Sequence, residues 1–156
     1  MTDRDWNELR NEFHQTTDAM IKRSGRSIIA VFDCEGDDQP FAYTIGNHLK
    51  GLPELLVIGG RRDEVVGLLN GLSEMMIKAD MVFKDGQVVR IPGGFPFKLI
   101  RGGNIARTEY AVQAGEHFGH DDYTIMQVLV PDKEGRFPGD DGCREPYSQV
   151  PVLRLE

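Results

Sequence analysis

The stretch from residue 41 to 60 constrains the fold most, because it holds two β-type runs joined by a loop with glycines, a proline and a histidine. Tyrosine, threonine, isoleucine and valine favour the pleated, half-buried surface of a sheet. Gly46, Gly51 and Gly59, together with Pro53, interrupt the runs where a strand turns or gives way to a helix. The chain is therefore expected to build a sheet around this stretch.

Bulk properties limit the class of protein. The 156 residues fit a single domain over 1–156, with an N-terminal helix over 1–25 and a core over 26–154. The formal charge of −7 opposes binding to nucleic acid or to an anionic membrane. Because no leader-like or membrane-spanning segment is recognisable, a cytoplasmic location is expected. Cys34 and Cys143 form no CxxC pattern, and both are expected to be reduced.

Helical periodicity of apolar residues predicts three helices. These lie between Thr2 and Gly25, between Val65 and Met76, and between Asn104 and Phe118. Thr2 and Asp5 form a capping-box pattern, and Gly25 is a plausible stop for the first helix. Asn104 is expected to cap the third helix.

Further β-type runs are predicted at 27–32, 82–83, 87–91, 95–100, 124–130 and 150–155. The acidic linker 33–40 is expected to join the first of these runs to the Phe41 run as a long hairpin. Residues 124–130 are apolar enough for a central strand covered on both faces, while Pro151 points to an edge strand. Such adjacent runs of strands favour an α+β domain over a doubly wound sheet. The expected sheet is mainly antiparallel, or a partly open, split-barrel-like barrel, covered by about three helices.

Three segments in combination carry a family resemblance. They are Phe41–Gly46 with Gly51–Leu55, then Val66–Asn70, and finally Gln127–Pro138. Spaced in this way, they resemble the bacterial family of unknown function numbered 4262 (DUF4262), over roughly residues 26–154. The family usually carries tryptophans where this chain has Val130 and Gly139. The resemblance implies a family without implying a reaction.

The order of elements over residues 27–72 is also similar to flavin-binding split barrels of the flavin reductase type. This similarity implies that Thr44, Asn47, Arg61 and Arg62 cradle the flavin phosphate. In the alternative interpretation, Thr44 is a strand residue and the two arginines are solvated charges at a helix entry. A flavin-dependent oxidoreductase therefore stays an alternative function.

A second alternative is a metal-dependent hydrolase. His117, His120, Asp121 and Asp122 bring two imidazoles and two carboxylates into six consecutive positions, and a distant His14 or His48 would complete a divalent-metal shell. A histidine near a helix C-terminus is also favoured simply by the helix dipole. No GxSxG pattern supports acyl transfer.

The remaining candidates are polar residues in turns and at strand ends. His48 lies in a loop where it could act as a general acid or base, or be an ordinary turn residue. Glu54 enters an apolar strand, where a carboxylate must be solvated, paired or hydrogen-bonded. A structural ion pair with Arg61, Arg62 or Arg136 is expected ahead of a catalytic role. Asp132 and Arg136 belong to a turn that is expected to meet the first two glycine-bounded segments at one concave rim.

The sequence thus predicts a small domain that binds a small molecule or a protein partner, without an identifiable reaction, and a homodimer is natural if residues 150–155 form an exposed edge. The ligand-binding candidates are Tyr43, Thr44, Asn47, His48, Glu54, Arg61, Arg62, Asp132 and Arg136.

Overall fold

The computed structural model describes residues 2–32, 39–91 and 94–154. Its helices and strands are α1 (Asp3–Ser24), β1 (Ser27–Val31), β2 (Phe41–Ile45), β3 (Glu54–Ile58), α2 (Arg62–Ala79), β4 (Gln87–Arg90), β5 (Pro96–Arg101), α3 (Val112–Phe118) and β6 (Ile125–Leu129). A π-helical turn covers Ala106–Tyr110, and short 3₁₀ helices cover Asn47–Lys50 and Tyr147–Gln149. Most of the predicted linker, residues 33–38, lies outside the described ranges.

The six strands form one open sheet in the order β1-β2-β3-β6-β5-β4. All neighbouring strands are antiparallel except the central pair, β3 and β6, which run parallel with Glu54 opposite Ile125. The predicted α+β class with a mainly antiparallel sheet is therefore confirmed. The barrel alternative is not, because β1 and β4 remain separate edges.

Helices cover both faces of the sheet, and the side chains of β3 alternate between them. Leu55 and Val57 belong to the core cluster that includes α2, whereas Leu56 and Ile58 belong to the cluster with α1 and α3. All five residues of β6 are buried, as its uninterrupted apolar sequence predicts. The central strands are thus fixed from two sides, and their ends provide firm attachment points for loops.

The ends of α1 follow the predicted local signals. The Thr2 side chain accepts a hydrogen bond from the Asp5 amide at 3.3 Å, and the Asp5 carboxylate accepts one from the Thr2 amide at 3.1 Å. Gly25 ends the helix in the left-handed conformation. Within the described ranges, no helix is both long enough and apolar enough to cross a membrane.

The predicted continuous helix from Asn104 to Phe118 is wrong. Asn104 is itself helical, and its side chain accepts from the Arg107 guanidinium at 3.2 Å instead of capping. The chain then passes through a π turn, closed by a hydrogen bond of 2.9 Å from the Ala111 amide to the Ala106 carbonyl. Since Ala106 and Ala111 are both buried but five positions apart, an i to i+5 turn keeps both against the sheet.

The strand predicted at 82–83 is also wrong, because both residues lie in an irregular connection. Val82 is exposed there while Phe83 packs into the core. A buried aromatic next to an exposed apolar residue has the period of a strand, but without a partner it does not form one.

The C-terminal segment is not the predicted edge strand. Over the described residues 150–154, its only ladder contact is an isolated bridge between Gly102 and Arg154. The buried Gln127 side chain holds the segment instead, donating to the Pro151 carbonyl at 2.7 Å and accepting from the Leu153 amide at 2.8 Å. The exposed edge that motivated a homodimer is therefore not formed by this segment.

Candidate functional site

A polar cleft of about 430 Å³ opens at the end of the sheet where β3 and β6 begin and β5 ends. Its lining comes from the connections before β3, β4 and β6, from the end of β5 and from the π turn. The lining residues are His48, Gly51, Leu52, Pro53, Val82, Arg101, Arg107, Asp121, Asp122, Tyr123 and Thr124.

The loop before β3 is organised by the Glu54 carboxylate, which is fully buried. It accepts a hydrogen bond from the Thr44 hydroxyl at 2.7 Å. It also accepts from the backbone amides of Gly46 at 2.9 Å, Asn47 at 3.1 Å and His48 at 3.1 Å. Because all four neighbours donate, the arrangement suits an ionised carboxylate and fixes the backbone beneath the cleft.

The predicted ion pair between Glu54 and an arginine is wrong. Among the described residues, the Glu54 carboxylate forms no hydrogen bond with Arg61, Arg62 or Arg136. The end of β2 and the turn after it supply its four donors instead. Burial raises the pKa of Glu54, and the hydrogen bonds from Thr44 and the three amides oppose that effect without cancelling it.

A buried arginine extends this polar network. The Arg26 guanidinium donates to the Asn47 side chain at 3.2 Å, to Asn70 at 3.1 Å and to Glu74 at 2.5 Å. Asn47 in turn donates to the Ser73 hydroxyl at 2.9 Å. Arg26 therefore connects the end of α1, the loop before β3 and helix α2. Sequence reasoning missed it, although a charge between a helix stop and an apolar strand was a usable signal.

Four rings, His48, Phe118, His120 and Tyr123, form an aromatic cluster at one side of the cleft. The His48 ring centroid lies 5.1 Å from that of Phe118, 5.5 Å from that of His120 and 6.2 Å from that of Tyr123. The Tyr123 hydroxyl donates to the Ala111 carbonyl at 3.4 Å. Burial raises the pKa of Tyr123 to about 12, so its hydroxyl remains a donor even in mildly alkaline solution.

The histidine and aspartate cluster proposed as a metal site is divided by the structure. His117 turns toward α1, where its Nδ1 lies 2.9 Å from Nδ1 of His14 and its Nε2 lies 2.9 Å from Asp18. His120 instead joins the aromatic cluster, and its Nδ1 accepts a hydrogen bond from the Asp122 amide at 3.1 Å. Across the ranges that the structure describes, no three His, Cys, Asp or Glu side chains are arranged to hold a metal ion. The predicted shell does not form.

Asp132 lies at the opposite end of the sheet and closes a turn. Its carboxylate accepts from the amides of Glu134, Arg136 and Arg144, each at 2.9 Å. Burial opposes ionisation, but the amides of Arg136, Arg144 and Glu134 outweigh it and hold the pKa of Asp132 below its usual value. Asp132 therefore fixes the backbone of this turn by accepting hydrogen bonds from its amides.

The three candidate arginines also lie away from the cleft. Arg136 pairs with Glu134 at 2.7 Å, Arg61 approaches Glu64 at 4.0 Å, and Arg62 lies 5.1 Å above the Phe32 ring. Arg61 and Arg62 follow β3 and Arg136 follows β6, and these strands are parallel. Within each of these five-residue strands, the first and last residues are four steps apart, which is about 13 Å. The expectation of one shared concave rim is wrong.

Of the other candidates, Tyr43 is buried against α1 and α3, where burial raises its pKa. The cleft brings together only His48 from the ligand-binding set, with Asp121 and Asp122 from the metal set. Sequence reasoning missed Arg101 and Arg107. A signal existed for Arg101, a charge directly after the predicted apolar run 95–100, but none marked Arg107 within a helical pattern.

The chain is thus an α+β protein with an open six-stranded sheet and a polar cleft at one end. A family model described as "Domain of unknown function (DUF4262)" matches residues 20–144, and the chain belongs to this family. The resemblance found in the sequence is therefore confirmed. A search of curated proteins and a search of solved structures gave no match.

Proposed function

We propose that this domain binds a small polar molecule in the cleft at the beginning of β3 and β6. The volume of about 430 Å³ falls in the range of about 300–1,000 Å³ that is usual for small-ligand sites. The rings of His48 and Tyr123 share the lining of the cleft with its charged residues, so apolar and polar contacts are both offered to a ligand.

The observation that carries this proposal is that the charged side chains lining the cleft form no ion pairs within the described ranges. Arg101, Arg107, Asp121 and Asp122 all line it. Within the described ranges, none of the four takes part in an ion pair. Charged groups that share a concave surface without neutralising one another are available to a ligand.

The wall formed by the loop before β3 is suited to binding because it is already ordered. Glu54 holds the amides of Gly46, Asn47 and His48, and Arg26 anchors Asn47. A wall with satisfied buried hydrogen bonds loses little conformational entropy when a ligand binds. His48 is therefore positioned by its backbone, while its ring remains at the cleft.

The experiment is a fragment titration of ¹⁵N-labelled protein, followed by amide NMR shifts. Binding fragments are expected to shift the amides of Gly51, Tyr123 and Thr124. Thr124→Trp should abolish these shifts, because residue 124 lines the cleft and is exposed. Lys133→Trp, at an exposed position in the distant turn, is the matched control and should bind normally. Fragments that bind equally well to both variants, or only elsewhere, would refute the proposal.

A further inference from the structure

We infer that the cleft recognises an oxyanion, a carboxylate or a monophosphate, through Arg101 and Arg107. This inference rests on the proposed function and specifies the chemical class of its ligand. It follows from the donors of the two guanidinium groups, from the acidic residues beside them and from the charge of the whole chain.

Arg107 supplies the most specific observation. Its Nη2 donates to Asn104 at 3.2 Å, so one arm of the guanidinium is held in place. Its Nε is buried and has no hydrogen-bond partner among the described residues. A buried charged donor without an acceptor is costly, and such groups in a cleft commonly face a ligand or an ordered water. Protein groups in the described ranges therefore leave the Arg107 guanidinium incompletely paired, and an oxyanion in the cleft that Arg107 lines would complete its pairing.

Arg101 adds a second guanidinium to the same cleft. It is the last residue of β5, is exposed, and lines the cleft with Arg107. A guanidinium presents a planar fork of donors that matches the two oxygens of a carboxylate or phosphate. Neither guanidinium pairs with a carboxylate of the described residues, so together they favour an oxyanion over a neutral or cationic head group.

Asp121 and Asp122 limit how much negative charge the ligand can carry. They line the same cleft, and the whole chain has a net charge of −7. Like charges would oppose a triphosphate or another polyanion, and long-range steering does not favour anions here. The aspartates instead suit an ammonium or hydroxyl group on the same molecule. The expected ligand is a compact molecule with one oxyanion and a hydrogen-bond donor.

The test uses three small probes in calorimetric and NMR titrations. Phosphoethanolamine carries a phosphate and an ammonium group, β-alanine carries a carboxylate and an ammonium group, and ethanolamine lacks the oxyanion. At least one of the first two should bind and shift the amides of Gly51 and Thr124, while ethanolamine should not. Binding of phosphoethanolamine alone identifies phosphate as the group, and binding of β-alanine alone identifies carboxylate.

Arg101→Gln and Arg107→Gln should each weaken this binding by about ten-fold or more. Arg90→Gln is the matched control, because it removes the same charge from an exposed position on β4 and should leave binding unchanged. Arg101 is exposed, so its variant remains informative even if Arg107→Gln folds poorly.

Two results would overturn the inference. Neutral or cationic fragments that bind in the cleft more tightly than both oxyanion probes would do so while leaving the proposed function standing. Oxyanion binding that Arg101→Gln and Arg107→Gln do not weaken would do so as well. If neither the probes nor the fragment set shifts any residue of the cleft, the inference and the proposed function fail together.

Discussion

The Thr44 hydroxyl donates to the Glu54 carboxylate at 2.7 Å and at the same time accepts from the Leu55 amide at 2.9 Å. One side chain on β2 thus joins both the backbone and the side chain at the beginning of β3. Among the described residues, Thr44 is the side-chain donor to the buried Glu54 carboxylate, and the other donors are backbone amides. This contact fixes the loop that forms one wall of the cleft.

Replacement of Glu54 by glutamine is expected to destabilise the protein by about 1–3 kcal/mol. Each carboxylate oxygen accepts from two donors, so an amide nitrogen in either position would face two N–H or O–H groups. Urea unfolding at pH 7 measures the change, with Glu54→Ala as the comparison. Equal stability of Glu54→Gln and wild type would mean that the buried acid is protonated, in the direction of its raised pKa.

Arg26→Gln is expected to lower the free energy of unfolding by about 2–3 kcal/mol, because the buried side-chain oxygen of Asn47 and the side-chain oxygen of half-buried Asn70 lose their donor. Glu74→Gln is the matched control. The Glu74 side chain is 43% exposed, so removing its charge should cost less than about 1 kcal/mol. If the two variants unfold at the same urea concentration, Arg26 acts mainly through the ion pair and not through the network.

Gly46→Ala is expected to destabilise by more than about 2 kcal/mol. At φ 130°, an added Cβ would lie 2.9 Å from Cα of Arg26 and 2.9 Å from the Gly25 carbonyl oxygen. Gly51→Ala, at φ 75° with open space around it, should cost only about 1–2 kcal/mol. Thermal and urea unfolding of both variants give the comparison, and a smaller effect at Gly46 than at Gly51 would contradict this packing.

The stabilising effect of Asp132 should depend on pH in the acid range. Because its folded-state pKa lies below the ordinary value of 3.8, ionised Asp132 stabilises the folded state above about that pH. This contribution is lost as the pH falls through the folded-state pKa. Asp132→Asn should therefore unfold at lower temperature than wild type at pH 7, and the difference should shrink below pH 3.8. A difference that stays constant from pH 7 to the acid limit would contradict the assignment.

Local signals predicted α1, β2, β3, α2 and β6 well, because each depends on residues close in sequence. Thr2 and Asp5 cap a helix wherever they occur in this pattern, and the apolar run in β6 requires cover on both faces. The resemblance to the family also depended only on the order and spacing of segments, and the family match over residues 20–144 confirmed it.

The candidate site was predicted less well, because its members meet through strand pairing. The sequence indicated His48, Asp121 and Asp122 as polar candidates, but it joined them only as one option for a metal shell, with His14 as the alternative to His48. The parallel alignment of β3 with β6 places the loops that carry them at one end of the sheet, and it sends Asp132 and Arg136 to the other end. Whether two strands pair in parallel or antiparallel depends on tertiary structure, and hydrophobic periodicity does not predict it.

By itself, the sequence determined the α+β class, the caps of α1 and the family, since propensity, capping and apolar period act over a few neighbouring residues. The tertiary structure alone decided that Glu54 is held by backbone amides instead of an arginine and that Arg101 and Arg107 share a cleft. The physical reason is that a buried polar group takes whichever donors the packed chain brings within hydrogen-bonding distance, and those distances exist only after the sheet has formed.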